Sequence, residues 1–179
     1  YEKIIAINFG VGGNDRKRLG IEFEEKLLLS LLKEPKVAIL LDKGFGDEEW
    51  SRCSHILKTM ESNGYFTQNV SFSDLENCVI PKVSNSLAPV NSVFGIESNI
   101  SEVSSLMSKC TEFIGYDSAC QHISASIGMP TYTIFAGSNN PKFIRRWTAS
   151  GPSVSKIIHV DTLTYPQTWT VEDILVRIT

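Results

Sequence analysis

Short apolar runs alternate with segments of helical periodicity along most of this chain. The runs that predict strands are Lys3–Phe9, Lys36–Leu41, a run that ends at Phe113 and Ile114, Thr131–Phe135 and Lys156–Val160. Apolar positions three and four residues apart predict helices over Ile21–Lys33, from Asp47 to about Asn63, from Ser98 or Asn99 onward, from Asp117 or Ser118 to Ile127, and over Val171–Ile178. Strands that alternate with helices are typical of a doubly wound fold, so we expect an α/β, Rossmann-like parallel sheet of about six strands with helices on both faces.

Residues 66–93 show the weakest pattern in the chain. They contain only short apolar pieces among Ser, Asn and Pro. We expect one or two strands and an irregular loop there, and the segment indicates no chemistry.

The most informative stretch is Phe113–Phe135, which predicts a strand, a polar turn, a short helix and a second buried strand. We expect Gly115 to let the chain turn and the side-chain oxygen of Asp117 or Ser118 to cap the helix. Asp117, Ser118 and His122 would then lie where ligands bind in open α/β sheets, beside a helix amino terminus that favours phosphate. The alternative is that Asp117 or Ser118 only caps the helix and that His122 is a packing residue.

Other polar segments are predicted at the same edge of the sheet, because each follows a strand or precedes a helix. They are Gly10–Arg18, Asp42–Glu49, Gly95–Asn99 and Gly137–Asn140. The first combines glycines with three consecutive cations, which suits a diphosphate, although it matches neither the Walker A loop nor G-x-G-x-x-G. Taken alone, this loop favours the alternative of a solvated turn. The acids after Asp42 have their own alternative, since a helix dipole favours acids in a first turn.

Composition restricts the function classes. The chain has 179 residues, 42% of them hydrophobic and 21% charged, which is ordinary for one globular domain. The net charge of −3 provides no general attraction for nucleic acid, and no apolar run is long enough to span a membrane. The four scattered cysteines favour reduced thiols in the cytoplasm, and His55, His122 and His159 lack the spacing of a metal site.

The central motif resembles a known signature. Asp117-Ser118-Ala119 with His122, followed by a small-residue helix, an apolar strand and Phe135-Ala136-Gly137, is similar to the Asp-(Thr/Ser)-Gly-x-x-His motif of the ADP-heptose:lipopolysaccharide heptosyltransferases, glycosyltransferase family nine. Members of that family have two Rossmann-like domains in the GT-B arrangement. The resemblance implies that residues 1–179 form the carboxyl-terminal, donor-binding domain and that the acceptor-binding domain is absent. The start at Tyr1, not Met, led us to the same expectation of a fragment.

The resemblance also implies roles for single residues. The motif loop contacts the nucleotide-sugar donor, a Lys before the first helix meets phosphate, a Glu at a helix start holds the nucleoside, and a Gly-x segment lines the base pocket. Lys17 is the best match for the Lys, with Arg16 and Arg18 as substitutes, and Ala119 departs from the family Gly. The expected donor-binding residues are Gly12, Gly13, Lys17, Glu48 or Glu49, Gly95, Ile96, Asp117, Ser118, Ala119 and His122.

The implied function is transfer of a sugar, without metal or other cofactor, from a nucleotide sugar such as ADP-heptose to a glycan or lipopolysaccharide-type acceptor. The general base and the acceptor would belong to the missing domain, so this chain alone would be inactive. We expect a cytoplasmic protein, with peripheral association of the full protein at the inner membrane face. The alternatives are a nucleotide-sugar epimerase or hydrolase on a similar fold, and a binding module that has lost its site.

Overall fold

The computed structural model describes residues 1–77, 90–164 and 169–178, and these contain seven strands and six α-helices. The strands are β1 (Lys3–Asn8), β2 (Val37–Asp42), β3 (Phe66–Ser71), β4 (Ser92–Glu97), β5 (Glu112–Tyr116), β6 (Thr131–Phe135) and β7 (Ser155–His159). The helices are α1 (Ile21–Leu31), α2 (Asp47–Ser62), α3 (Ile100–Met107), α4 (Ala119–Ser126), α5 (Pro141–Trp147) and α6 (Val171–Ile178). Two short 3₁₀ turns, Asp15–Lys17 and Phe72–Asn77, complete the described elements.

All seven strands form one sheet in the order β3-β4-β2-β1-β5-β6-β7, and every neighbouring pair is parallel. The chain starts in the middle of the sheet at β1, builds one half on the β2 side and then crosses to β5. The order therefore reverses between β1 and β5. Ligands of open α/β sheets bind at such a switch point, outside the carboxyl ends of the strands.

Alternate residues of the central strands supply the two faces of the core. In β1, Ile5 and Ile7 pack in the large cluster with residues of α1, α2 and α6, whereas Ala6 packs with residues of α3 and α4. Both faces are therefore covered by helices. This explains why the central strands read as continuous apolar runs without polar alternation.

The structure confirms the predicted class and most of the predicted elements, with two differences in the element list. The sheet has seven strands where about six were expected, because β3 forms within the segment of weakest pattern and β4 begins at its end. Residues 78–89 of that segment lie outside the described residues. Helix α5 was not predicted, since the sequence analysis assigned Gly137–Asn140 only to the polar segments at the sheet edge. Its start follows simple rules: Asn140 accepts a hydrogen bond from the Lys142 N–H, and Pro141 occupies the first turn.

The role predicted for Gly115 was wrong. Gly115 lies inside β5 with no left-handed backbone angle, and the chain turns only after Tyr116. A Cβ atom at Gly115 would stand 2.5 Å from the carbonyl oxygen of Asn8 on the neighbouring strand. The glycine is therefore required by the close approach of β1 and β5 at the switch point.

A membrane-crossing helix is not found within the described part of the chain, where no helix is both long and apolar enough to span a bilayer.

Candidate functional site

A cleft of about 870 Å³ opens at the carboxyl ends of the central strands. Four loops line it: those that follow β1, β2, β4 and β5. The prediction that polar segments after these strands gather at one edge is confirmed for all four. The fifth segment, Gly137–Asn140, follows β6 and does not line the cleft, although Gly137 approaches the backbone of Arg16 closely.

The loop after β1 forms one wall of the cleft and carries its cation. Gly12 and Gly13 both adopt left-handed φ angles, 60° and 77°, and line the cleft. Lys17 follows in a 3₁₀ turn and also lines it. The Lys17 Nζ atom lies 2.8 Å from Asp117 Oδ2 and donates a hydrogen bond of 3.1 Å to the Asp117 carbonyl oxygen.

The two neighbouring arginines are placed differently. Arg16 is exposed and does not line the cleft. The Arg18 guanidinium is largely buried and forms ion pairs with Asp15, Glu48 and Glu49. Lys17 is therefore the member of the trio that the structure brings to the cleft, as the sequence indicated.

Helix α4 points its amino terminus at the cleft without a side-chain cap. Ser118 is the N-cap residue, but its hydroxyl donates to Asn8 Oδ1 at 3.1 Å and accepts no helix N–H. The Asp117 carboxylate instead accepts from Gln121 Nε2 at 2.6 Å and pairs with Lys17. The predicted capping by Asp117 or Ser118 was therefore wrong, and the first N–H groups of α4 remain available at the cleft beside the exposed methyl group of Ala119.

The structure separates the two candidate glutamates. Glu48 is exposed and forms an ion pair with Arg18, whereas Glu49 lines the cleft. Glu49 accepts hydrogen bonds from the N–H groups of Val11 at 3.2 Å and Phe45 at 2.8 Å. It therefore joins the loops that follow β1 and β2, a contact that the sequence did not reveal.

The cleft is also lined by a carboxylate that the sequence analysis placed at this edge of the sheet but did not assign to the site. Asp42 ends β2 directly beside Asn8 at the end of β1, and Asn8 Nδ2 donates to Asp42 Oδ2 at 2.7 Å. The other Asp42 oxygen accepts from the Gly44 N–H at 3.1 Å. Burial raises the pKa of Asp42, and the hydrogen bonds from Gly44 and Asn8 only partly oppose that shift. The strand-end positions of both residues were the available signal.

Besides Glu48, three predicted site residues do not reach the cleft. His122 is exposed on α4 and does not line it. Gly95 lies within β4, and a Cβ atom there would meet Leu57 Cδ1 at 2.7 Å, so it faces the packed α2 side of the sheet. Ile96 is buried and lines a small apolar cavity that also includes Asp42. The large exposed apolar side chains that do line the cleft are Phe45 and Ile100, which are 96% and 59% exposed.

A second buried network lies beneath the cleft. The Glu24 carboxylate of α1 is fully buried and is bound by Arg52 of α2 through Nε at 2.5 Å and Nη2 at 2.9 Å. Tyr116, which directly precedes Asp117, donates its hydroxyl to Glu24 at 3.1 Å and accepts from the Leu19 N–H at 3.0 Å. The network therefore connects the loop that carries Lys17 to α1, α2 and β5.

The thiols and potential metal ligands add no further chemistry at this site. Cys53, Cys110 and Cys120 are free, and burial raises the pKa of the Cys120 thiol at the cleft to about 12, so it stays protonated at neutral pH. Over residues 1–77, 90–164 and 169–178 there is no group of three His, Cys, Asp or Glu side chains arranged to hold a metal ion.

Comparison with known proteins decides the family. The model of glycosyltransferase family 9 (heptosyltransferase) matches residues 43–166, which include the loops after β2, β4 and β5. The chain belongs to glycosyltransferase family 9. No curated protein matches the sequence of this family 9 chain.

Solved structures show the same fold at low sequence identity. The E. coli ADP-heptose LPS heptosyltransferase II is 14% identical with a TM-score of 0.64, and the match covers 98% of this chain and 45% of that one. The E. coli heptosyltransferase WaaC with ADP-2-deoxy-2-fluoro heptose is 11% identical with a TM-score of 0.60, over 96% of this chain and 41% of that one. A family 9 glycosyltransferase from Veillonella parvula DSM 2008 is 14% identical with a TM-score of 0.51, over 97% and 39%. This family 9 chain therefore spans less than half the length of the structures it resembles.

Proposed function

We propose that this chain is the donor-binding part of a glycosyltransferase, and that its cleft binds a nucleoside diphosphate sugar such as ADP-heptose. The observation that carries the proposal is that Lys17, through its contact with Asp117, and the uncapped amino terminus of α4 line the same cleft at the switch point of the sheet. Backbone N–H groups, a helix dipole and an ammonium group together suit a diphosphate. Family 9 membership and the E. coli structure of WaaC with ADP support the same choice of ligand.

The diphosphate lies, in this proposal, between Lys17 and the first turn of α4, and Gly12 and Gly13 line the same wall of the cleft as Lys17. Lys17 already has an anionic partner in Asp117, so the phosphate shares the ammonium with that carboxylate. Asp117 then holds Lys17 in place, while Gln121 fixes the orientation of Asp117.

The nucleoside extends from the diphosphate toward the loops after β2 and β4. We assign the ribose contact to Glu49 and not to Glu48, because of the two only Glu49 lines the cleft. Phe45 and Ile100 take the base in place of Gly95 and Ile96, since they are the exposed apolar side chains that line the cleft. Planar bases bind well against exposed aromatic rings.

The chemical role of the site is stabilisation of the leaving diphosphate. Sugar transfer develops negative charge on that group, and the helix terminus and Lys17 provide positive charge aimed at it without a metal ion. The acceptor glycan and the base that deprotonates its hydroxyl belong to the rest of the glycosyltransferase. This chain alone is therefore expected to bind donor but to transfer nothing.

The direct test is calorimetric titration of the chain with ADP, UDP, GDP and CMP, with EDTA present throughout. We expect one diphosphate to bind and Lys17→Ala to weaken it at least tenfold, since a charge-assisted contact to phosphate is lost, about 1.4 kcal/mol or more. Lys58→Ala, which removes an exposed lysine of α2, is the matched control and should leave affinity unchanged. Inorganic pyrophosphate has no base, so Phe45→Ala should lower the affinity for ADP and leave the affinity for pyrophosphate unchanged. Equal affinity of wild type and Lys17→Ala would contradict the proposed diphosphate position. Failure to bind in EDTA, with binding restored when Mg²⁺ replaces the EDTA, would contradict metal-independent binding.

A further inference from the structure

A groove of about 640 Å³ lies between α5 and β7, the strand at one edge of the sheet. The residues that line it are Pro141, Ile144, Arg145, Thr148, Ser150, Ile157 and His159. None of them lines the donor cleft, so the groove is a separate site. Its volume lies within the range of pockets that hold small ligands, about 300–1,000 Å³.

The groove follows from the periodicity of the two elements that form it. Four positions along α5 and its C-cap recur at spacings of three and four, which puts them on one face of the helix. They are Pro141, Ile144, Arg145 and Thr148. On β7, Ile157 and His159 are alternate residues, so their side chains lie on the same face of the sheet.

Arg145 gives the groove a cation that no acid of the described chain neutralises. It is exposed, it forms no ion pair with any described residue, and none of the residues that line the groove is acidic. A helix dipole favours a cation in the last turn, but Arg146 meets that need equally and does not line the groove. The fork of N–H donors on a guanidinium matches the oxygens of a carboxylate or a phosphoryl group.

His159 and Ser150 add groups that suit hydroxyls. His159 Nε2 lies 2.7 Å from the carbonyl oxygen of Ser138, which can only accept, so Nε2 carries the hydrogen. Nδ1 of the neutral ring is then an acceptor, and the exposed Ser150 provides a hydroxyl that can donate or accept. Ile144 and Ile157 supply apolar surface between these polar groups.

We propose that this groove binds a small anionic sugar, with its carboxylate or phosphoryl group on Arg145, a hydroxyl donating to His159 Nδ1 and the C–H face of the ring on Ile144 and Ile157. Few polar groups placed around an apolar surface are the usual composition of a small-molecule site. A nucleotide fits less well, because the groove has no Phe, Tyr or Trp on which a base could stack. Sugar phosphates and uronic acids share the chemistry, and the test separates them.

The test is NMR titration of the chain at neutral pH with glucose 6-phosphate, glucuronate and glucose. At least one of the two charged sugars should bind with a Kd of about 1 mM or tighter, and glucose should bind about tenfold more weakly, since it has no anion for Arg145. The shifts should lie at the amides of Arg145 and Ser150 and at the imidazole nitrogens of His159. The other two histidines of the chain, His55 and His122, are exposed elsewhere and serve as internal references.

Three variants separate this groove from other cationic surfaces. Arg145→Gln should weaken binding of the charged sugar about tenfold, because a charge-assisted contact is lost. The matched control is Arg146→Gln, which removes the adjacent exposed arginine and should leave the affinity unchanged. Lys17→Ala should also leave it unchanged, because Lys17 lines the donor cleft and not the groove. Thermal melts show whether each variant remains folded.

Four results would overturn the proposal. The first is that neither charged sugar binds at about 10 mM. The second is that glucose binds as tightly as the charged sugars, and the third is an equal loss in Arg145→Gln and Arg146→Gln. The fourth is that the shifts fall on Gly12 and Gly13 and disappear in Lys17→Ala, which would place the sugar in the donor cleft. Failure of ADP to bind the cleft would leave this proposal standing, since the two sites share no residue.

Discussion

Replacing Arg52 by Met leaves a buried charge without its partner. The Glu24 carboxylate is fully buried, and Arg52 provides two of its three hydrogen bonds, at 2.5 and 2.9 Å. Breaking a buried ion pair from one side costs about 3–5 kcal/mol. Because the Tyr116 hydroxyl remains 3.1 Å from Glu24, we expect a loss near the lower end, about 3 kcal/mol.

That loss is large compared with the stability of an ordinary domain, about 5–15 kcal/mol. For a chain of this size it corresponds to a fall in Tm of about 6–12 °C. Urea unfolding followed by circular dichroism measures it, with Arg146→Met as a control that removes an exposed arginine. The double variant Glu24→Met, Arg52→Met should recover most of the loss, since neither buried charge remains.

The pH dependence of the stability lost in Arg52→Met provides a second check on the role of the Glu24–Arg52 ion pair. Burial raises the pKa of Glu24 above 4.5 in the folded protein, and loss of Arg52 raises it further. A carboxyl with a raised folded pKa favours folding below its unfolded pKa and loses that contribution as pH rises through the folded pKa. The difference between wild type and Arg52→Met should therefore be largest at neutral pH and shrink as pH falls toward 4.5. A difference under about 1 kcal/mol, or one that does not change with pH, would refute the reasoning.

Three further predictions follow from single contacts. Gln121→Met should weaken ADP binding several-fold, because Gln121 acts on Lys17 through Asp117, and it should have no further effect in a Lys17→Ala background. Calorimetric double-mutant cycles measure this coupling, and additive effects of the two changes on ADP affinity would contradict the prediction. Asp42→Asn should remove a pH-dependent part of stability: burial raises the folded pKa of Asp42, so the stability of wild type relative to the variant should fall as pH rises above 3.8, and parallel curves would exclude it. Gly115→Ala should destabilise by about 3 kcal/mol in urea unfolding, because the new methyl group would stand 2.5 Å from a backbone oxygen; a loss below about 1 kcal/mol would show that the strands can separate there.

The fold was largely readable from the sequence because its strands are buried on both faces. Runs such as Lys3–Phe9 and Thr131–Phe135 show the continuous apolar pattern of central parallel strands. Strand β3 lies at the edge of the sheet, and its sequence Phe-Thr-Gln-Asn-Val-Ser carries too many polar residues to give that pattern. Helix α5 has seven residues, which is too short for a periodic apolar stripe to appear.

The candidate site was readable only as far as sequence order determines it. Loops that follow parallel strands meet at one edge, so Lys17, Glu49 and Ser118 could be assigned to that edge without a structure. Pairings across the fold could not be read in this way. Asn8 contacts Asp42 and Ser118 from far along the chain, and no local pattern marks any of these contacts.

Gly115 shows that long-range contacts also limit the prediction of backbone turns from the sequence. A glycine after an apolar run is a reasonable turn signal, yet here it serves the contact with Asn8 on the neighbouring strand. Likewise, an Asp-Ser pair before a helix is a good capping signal, but Lys17 and Gln121 compete successfully for Asp117. In each case a long-range contact overrides a local preference.

The most direct test of the proposed donor site is to locate bound ADP by its effect on backbone amide signals in the NMR spectrum of this 19.9 kDa chain. The account predicts that the largest shifts on titration occur at the amides of Gly12, Gly13 and Ala119, which line the cleft, with much smaller shifts at exposed Lys58 and Lys109. Shifts confined to another surface, or no shifts at about 1 mM ADP or above, would contradict the claim that the diphosphate binds between Lys17 and the start of α4.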